Sequence, residues 1–151
     1  QPQVYGNGFI VKTASLLGIR ESRRTEGDYI FTIHDWLERR SFDDEIGRNC
    51  YFVDIHIPGY EAKHYGRGES HGIPYRILTP KGKKNLLTAG RCISADEEAL
   101  GSLRVMPPAL VTGEAAGMAA ALAAKQSRPD VHQVDVDFLR KRLREEGQYF
   151  K

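Results

Sequence analysis

The run RVMPPALVTGEAAGMAAALAAK, residues 104–125, limits what this chain can fold into more than any other stretch. Pro107 and Pro108 suit the first turn of a helix, where a missing N–H costs nothing, and the helix should run to about Lys125. Its middle carries almost no side-chain bulk. Gly113, Ala115, Ala116 and Gly117 let backbone come close to whatever lies against them, either a flat ligand or an adjacent strand. Composition leaves both readings open. The preceding NLLTAG (85–90) reads as a short apolar strand stopping at Gly90, so residues 85–125 form a strand–loop–helix unit. In open α/β sheets ligands bind beyond the carboxyl ends of strands, where helix N-termini offer free N–H groups.

Composition excludes several classes. A formal charge of +2 over 151 residues gives no electrostatic case for nucleic acid. The local runs KGKK (81–84) and RKRLR (140–144) read as solvated faces. No apolar run reaches the ~18 residues of a membrane span. The first residues lack the basic and apolar regions of a signal peptide. Cys50 and Cys92 form no CxxC pair and the five histidines have no ligand spacing, so no metal site is expected; both thiols read as reduced and partly buried.

Elsewhere the pattern predicts mixed secondary structure. Residues 8–24 read as an extended or strand-rich segment ending in an arginine cluster. Residues 27–49 read as two short helices, the first capped by Thr32 and the second by Ser41 or Asp43, with Asp43, Asp44 and Glu45 set against its dipole. YFVDIHI (51–57) and IPYRILTP (73–80) read as strands, the latter placing Tyr75 and Arg76 on opposite faces. The glycine-rich 59–72 is a loop or mobile hairpin, and one helical turn is expected near 96–100. The tail (134–150) reads as an amphipathic helix begun by Asp135 or Asp137 and stopped by Gly147, with Phe138, Leu139 and Leu143 as its apolar stripe.

The segments LGIRESRR (17–24), GDY (27–29), FDDEIGRNCYFVDIH (42–56) and all of 73–125 closely resemble the C-terminal part of a family of FAD-dependent oxidoreductases, within the glutathione-reductase-like and fumarate-reductase-like flavoproteins. The resemblance implies an α/β fold, mixed α and β: the C-terminal fragment of a two-domain FAD/NAD(P)-binding-like flavoprotein. It divides the chain into a substrate or cap region with connecting strands (1–84), the last flavin-binding strand–loop–helix (85–126) and a C-terminal amphipathic helix (127–151). The GxGxxG turn that opens such enzymes is absent; GNG at 6–8 does not continue the pattern. The chain is therefore expected to be the end of a longer polypeptide, and alone to bind FAD weakly or not at all.

By the same resemblance, FAD is the cofactor, with Gly90, Arg91, Ser94, Gly101, Ser102, Gly113, Glu114, Ala115 and Ala116 around it. TGEAAG (112–117) resembles the start of the helix aimed at the flavin. Arg104, in LGSLR (100–104), and His56, in the DIH position, are the candidate catalytic residues. A plain loop or core histidine is the competing reading of His56, and Asp54 stands two residues away to orient it. Arg20, Glu21, Arg23 and Arg24 form either a substrate-facing charge network or a structural ion-pair cluster. The expected partners are a small-molecule substrate and the N-terminal remainder of the polypeptide, with homo-oligomerisation left open. Cytoplasmic residence is favoured, with an upstream signal peptide left open. Two other classes compete: a non-catalytic interaction module that keeps the fold without cofactor, and a polysaccharide-processing enzyme with 59–72 lining a sugar cleft.

Overall fold

A computed structural model describes residues 6–56 and 58–151. Its elements are α1 (Ile33–Leu37), β1 (Glu45–Asn49), β2 (His71–Pro74), α2 (Glu97–Leu103), α3 (Met106–Ala124) and α4 (Val136–Glu145), with 3₁₀ turns at Tyr75–Ile77, Gly90–Cys92 and Val131–Gln133. β1 and β2 pair antiparallel, with a register shift between Glu45 and Arg48. The fold is mixed α/β, as the sequence implied.

Three connecting segments supply most of what a larger sheet would. Phe31 bridges Ala95 in parallel and Gly27 bridges Pro80 antiparallel. Ser94 N–H donates to the Ile77 carbonyl, and the Gly27 N–H donates to Ser94 Oγ at 3.0 Å. A Cβ on Gly27 would stand 2.8 Å from that of Ser94, so only glycine permits the approach. Asp96 then serves two helices. Its carboxylate accepts the Ala99 N–H, capping α2, and the Ile33 N–H at the start of α1. Thr32 caps α1 in a reciprocal pair with Asp35. The Asp35 carboxyl is buried, which alone would raise its pKa. Donation from the Thr32 N–H, Arg40, Tyr29 and the Thr32 hydroxyl outweighs burial and holds it below the usual range.

α3 buries Pro108, Thr112, Ala115, Ala119 and Ala123 against β1, α4 and the two later 3₁₀ turns. The contact with β1 is close because Gly47 has no side chain; a Cβ there would come within 2.7 Å of Val111. The other face of α3 is uncovered, with Met106 80% and Leu110 74% exposed. α4 begins at Asp135 as expected, and Leu139 and Leu143 are buried. Phe138 belongs outside the stripe, being 45% exposed.

Several expectations are corrected. The second helix of 27–49 is strand β1: Gly47 disfavours helix, and pairing to β2 decides the conformation. Glu45 accordingly stands in a strand and makes a buried ion pair with Arg48 at 2.9 Å. Residues 8–24, 51–56 and 85–89 form no strand; Ile57 lies outside the described residues. The 73–80 strand ends at Pro74 and turns 3₁₀, so Tyr75 is buried and donates to the Val131 carbonyl, while Arg76 pairs with Asp44. Cys50 and Cys92 are both exposed free thiols.

His71 on β2 is fully buried against Phe31. The Tyr65 hydroxyl donates to the Trp36 carbonyl and accepts from His71 Nδ1 at 2.8 Å, leaving Nε2 without a partner. Burial and the nearby Arg48 charge lower its pKa from 6.5 to about 3. The unfolded chain therefore takes up the proton first, and stability contributed by neutral His71 is complete above pH 6.5 and falls as pH drops toward 3. Unfolding free energies from urea titrations between pH 7 and 5 should decline with a slope approaching about 1.4 kcal/mol per pH unit. His71→Gln should lose that slope; an unchanged slope would refute the assignment.

Candidate functional site

The expected site residues separate into an exposed group and a buried group. Gly90 opens the 3₁₀ turn in the left-handed region, φ 68°, and its N–H donates to Thr112 Oγ1 of α3 at 3.0 Å. Thr112 in turn donates to the Pro108 carbonyl. This ties the Gly90–Cys92 turn to the early turns of α3 and leaves Arg91 exposed at its tip. Gly113 and Glu114 are exposed, Ala116 is half-buried, and Ala115 faces the core. Glu114 accepts a hydrogen bond from Gln148.

The start of the helix is a correction to the resemblance. α3 begins at Met106, six residues before TGEAAG. The N–H groups of 113–117 thus lie in the helix interior and are committed to carbonyls one turn back. Of the first three helical residues only Met106 has an N–H, because Pro107 and Pro108 have none. The backbone donors left at the start of α3 are those of the N-cap residue Val105 and of Met106.

Arg104 caps α2 and is nearly buried, with 10% of its side chain exposed. It donates to Glu21 at 2.5 Å and to the Asp54 carbonyl at 2.6 Å. Glu21 also accepts from Arg24 at 2.8 Å. His56 is largely exposed, with Nε2 3.2 Å from the Asp54 carboxylate. The structure therefore brings Arg104 and His56 to one residue, Asp54, on its backbone and side chain respectively. It also ties the arginine-rich 19–24 segment to both.

Ser94, Gly101 and Ser102 are fully enclosed by protein. Ser94 Oγ receives Gly27, as above. A Cβ on Gly101 would stand 3.0 Å from Ile55 and 3.2 Å from the Asp54 carbonyl, so this glycine lets α2 lie against 53–55. The Ser102 hydroxyl donates to the Tyr51 carbonyl and accepts from Asn49 and Trp36. Sequence reasoning missed Asn49, Trp36 and Tyr65 as the frame of this region. Trp36 stacks on Tyr65 with centroids 4.1 Å apart, and no short motif marks such a long-range pair.

Ser102→Ala would strip the shared acceptor from buried Asn49 and Trp36, although Trp36 keeps the Tyr51 carbonyl at 3.2 Å. A loss of about 1–3 kcal/mol in urea unfolding is expected. Unchanged stability would show that the hydroxyl does not organise this core.

Among the described residues no single helix is long and apolar enough to cross a membrane. Searches among curated proteins and solved structures find no match. A protein-family model, FAD dependent oxidoreductase, matches residues 1–143. With its mixed α/β fold and FAD as the family's cofactor, the chain belongs to the FAD-dependent oxidoreductases.

Proposed function

We propose that this chain completes the flavin site of an oxidoreductase, with the Gly90–Cys92 turn and the start of α3 at the cofactor and residues 19–24 and 54–56 at the substrate. One observation carries the reading. α3 is apolar nearly all round, yet among the described residues nothing covers the face bearing Met106, Leu110, Gly113 and Gly117. Helices of that composition are normally covered on every side. A Cβ at Gly113 or Gly117 would meet no atom within 4 Å, so the small residues there are not needed for packing within this chain. They suit a flat ring system or the backbone of the same polypeptide's N-terminal remainder.

The residues present fit FAD. The Met106 N–H is a free donor at the positive end of a 19-residue helix, Gly90 and Arg91 present backbone and charge beside it, and Gly113 allows close approach. When bound, FAD supplies the two-electron acceptor for a small-molecule substrate. The chain's own residues supply position and proton handling. Arg104 is a positioning residue: it holds Glu21 and the Asp54 backbone, and through them the 19–24 segment. His56 is the proton acceptor, at Nδ1, with Asp54 facing Nε2. Ser94, Gly101, Ser102 and Ala115 act by fixing backbone, and Glu114 flanks the open face.

The test compares the complete polypeptide with the 151-residue chain by visible absorbance and by flavin released on denaturation. Stoichiometric FAD is expected in the former and little or none in the latter. No flavin in the complete polypeptide after FAD addition would overturn the proposal. Gly113→Leu gains ~0.8 kcal/mol of helix propensity and should not lower the stability of the chain, yet it should reduce FAD retention. Full retention would remove the open face of α3 from the site.

A further inference from the structure

A cleft of about 320 Å³ opens between residues 19–23 and the 89–92 turn, with Arg20, Arg23 and Arg91 on its walls. Among the described residues none of these three guanidinium groups has an ion-pair or hydrogen-bond partner, whereas Arg24 and Arg104 are both occupied by Glu21. Glu21 also lines the cleft, but those two arginines already neutralise it. Glu97 does not line this cleft but an adjoining cavity, which shares Glu21, Ser22 and Arg23 with it and adds Arg24. Arg20, Arg23 and Arg91, from two separate segments, thus line one cleft together with Ser22, each unpaired among the described residues. Like charges gathered without counter-charge repel one another, and an oxyanion relieves this while forming charge-assisted, often bidentate, hydrogen bonds.

The geometry points to an oxyanion-binding site in this cleft, taking a carboxylate or phosphate group through Arg20, Arg23 and Arg91. The chemistry has two sources: a carboxylate carried by the substrate, or the diphosphate of the flavin nucleotide. Which one arrives rests on the flavoprotein reading above; the oxyanion site itself does not. Arg104 shapes the site indirectly. By pairing with Glu21 it neutralises the one carboxylate that lines the cleft among the described residues.

The test is calorimetric titration of the protein with inorganic pyrophosphate and with citrate at low ionic strength, each also run against added FAD. Wild type should bind at least one probe at one site per chain. The triple variant Arg20→Gln/Arg23→Gln/Arg91→Gln should weaken it by at least about tenfold, since one charge-assisted hydrogen bond is worth roughly that factor. The variant Lys125→Gln/Lys141→Gln/Lys151→Gln removes the same charge elsewhere and should bind as wild type. Pyrophosphate binding that FAD displaces identifies the nucleotide as source; citrate binding that FAD leaves intact identifies the substrate. Absence of binding for both probes, or equal weakening in the lysine variant, overturns the site. Should the triple arginine variant fail to fold, Arg91→Gln alone is expected to weaken binding several-fold, and no change there would overturn the proposal. Flavin absorbance is read separately, so a failed cleft and a failed flavoprotein reading are distinguishable.

Discussion

The seating of α3 on the hairpin is the contact on which the rest of the structure depends. Ala115, Ala119 and Thr112 face inward where a conventional helix would place leucines, and Gly47 removes the one side chain that would separate helix from strand. Interiors tolerate neither voids nor overlap, so small residues on one surface require a close partner on the other. That closeness brings Thr112 Oγ1 to the Gly90 N–H, fixing the 90–92 turn and with it Arg91. Without a short helix-to-strand distance, the exposed turn would have no anchor.

A second constraint organises the charged side of the molecule. Arg104 is nearly buried, and its two short contacts join three parts of the chain: the 19–24 segment, residue 54 and the end of α2. Removing one member of such a nearly buried pair leaves the other uncompensated, so Glu21 and Arg104 are structurally coupled whatever the substrate. This accounts for an irregular segment being held at all. Residues 9–19 expose Phe9, Ile10, Val11, Leu16, Leu17 and Ile19 at 63–86%, and apolar burial within this chain does not hold them. The charged stretch 20–24 is held by polar contacts.

The parts of the fold legible in sequence were those with local chemistry. Thr32 and Asp135 sit at helix starts because their side chains satisfy N–H groups three residues on, and the paired prolines marked the first turn of α3. Strand β1 was not legible for a physical reason, and of β2 only Ile73 and Pro74 lay in an expected strand. Glu45–Asn49 shows no alternation to separate core from solvent, because nearly all of it is buried and its charge is answered internally by Arg48. Conversely YFVDIHI alternates but finds no neighbouring strand among the described residues. Of the candidate site, family motifs located the Gly90 turn and Arg104. Which serines were enclosed could not be read, since Ser94 and Ser102 are satisfied by Gly27, Asn49 and Trp36 from 53 to 67 residues away.

The two faces of α3 make different demands on the same small-residue composition. On the buried face each alanine is explained by a neighbour: β1, α4 or a 3₁₀ turn lies against it. On the open face no such neighbour exists among the described residues, yet Gly113 and Gly117 stand where alanine would cost less in helix propensity. A helix that bears that cost away from its own core does so for something that approaches from outside. The first turn is similarly unusual, since two prolines remove two of the four backbone donors that a helix start normally offers. The arginine cleft is built partly on the turn that α3 anchors, so the packing of the helix also fixes one wall of the cleft.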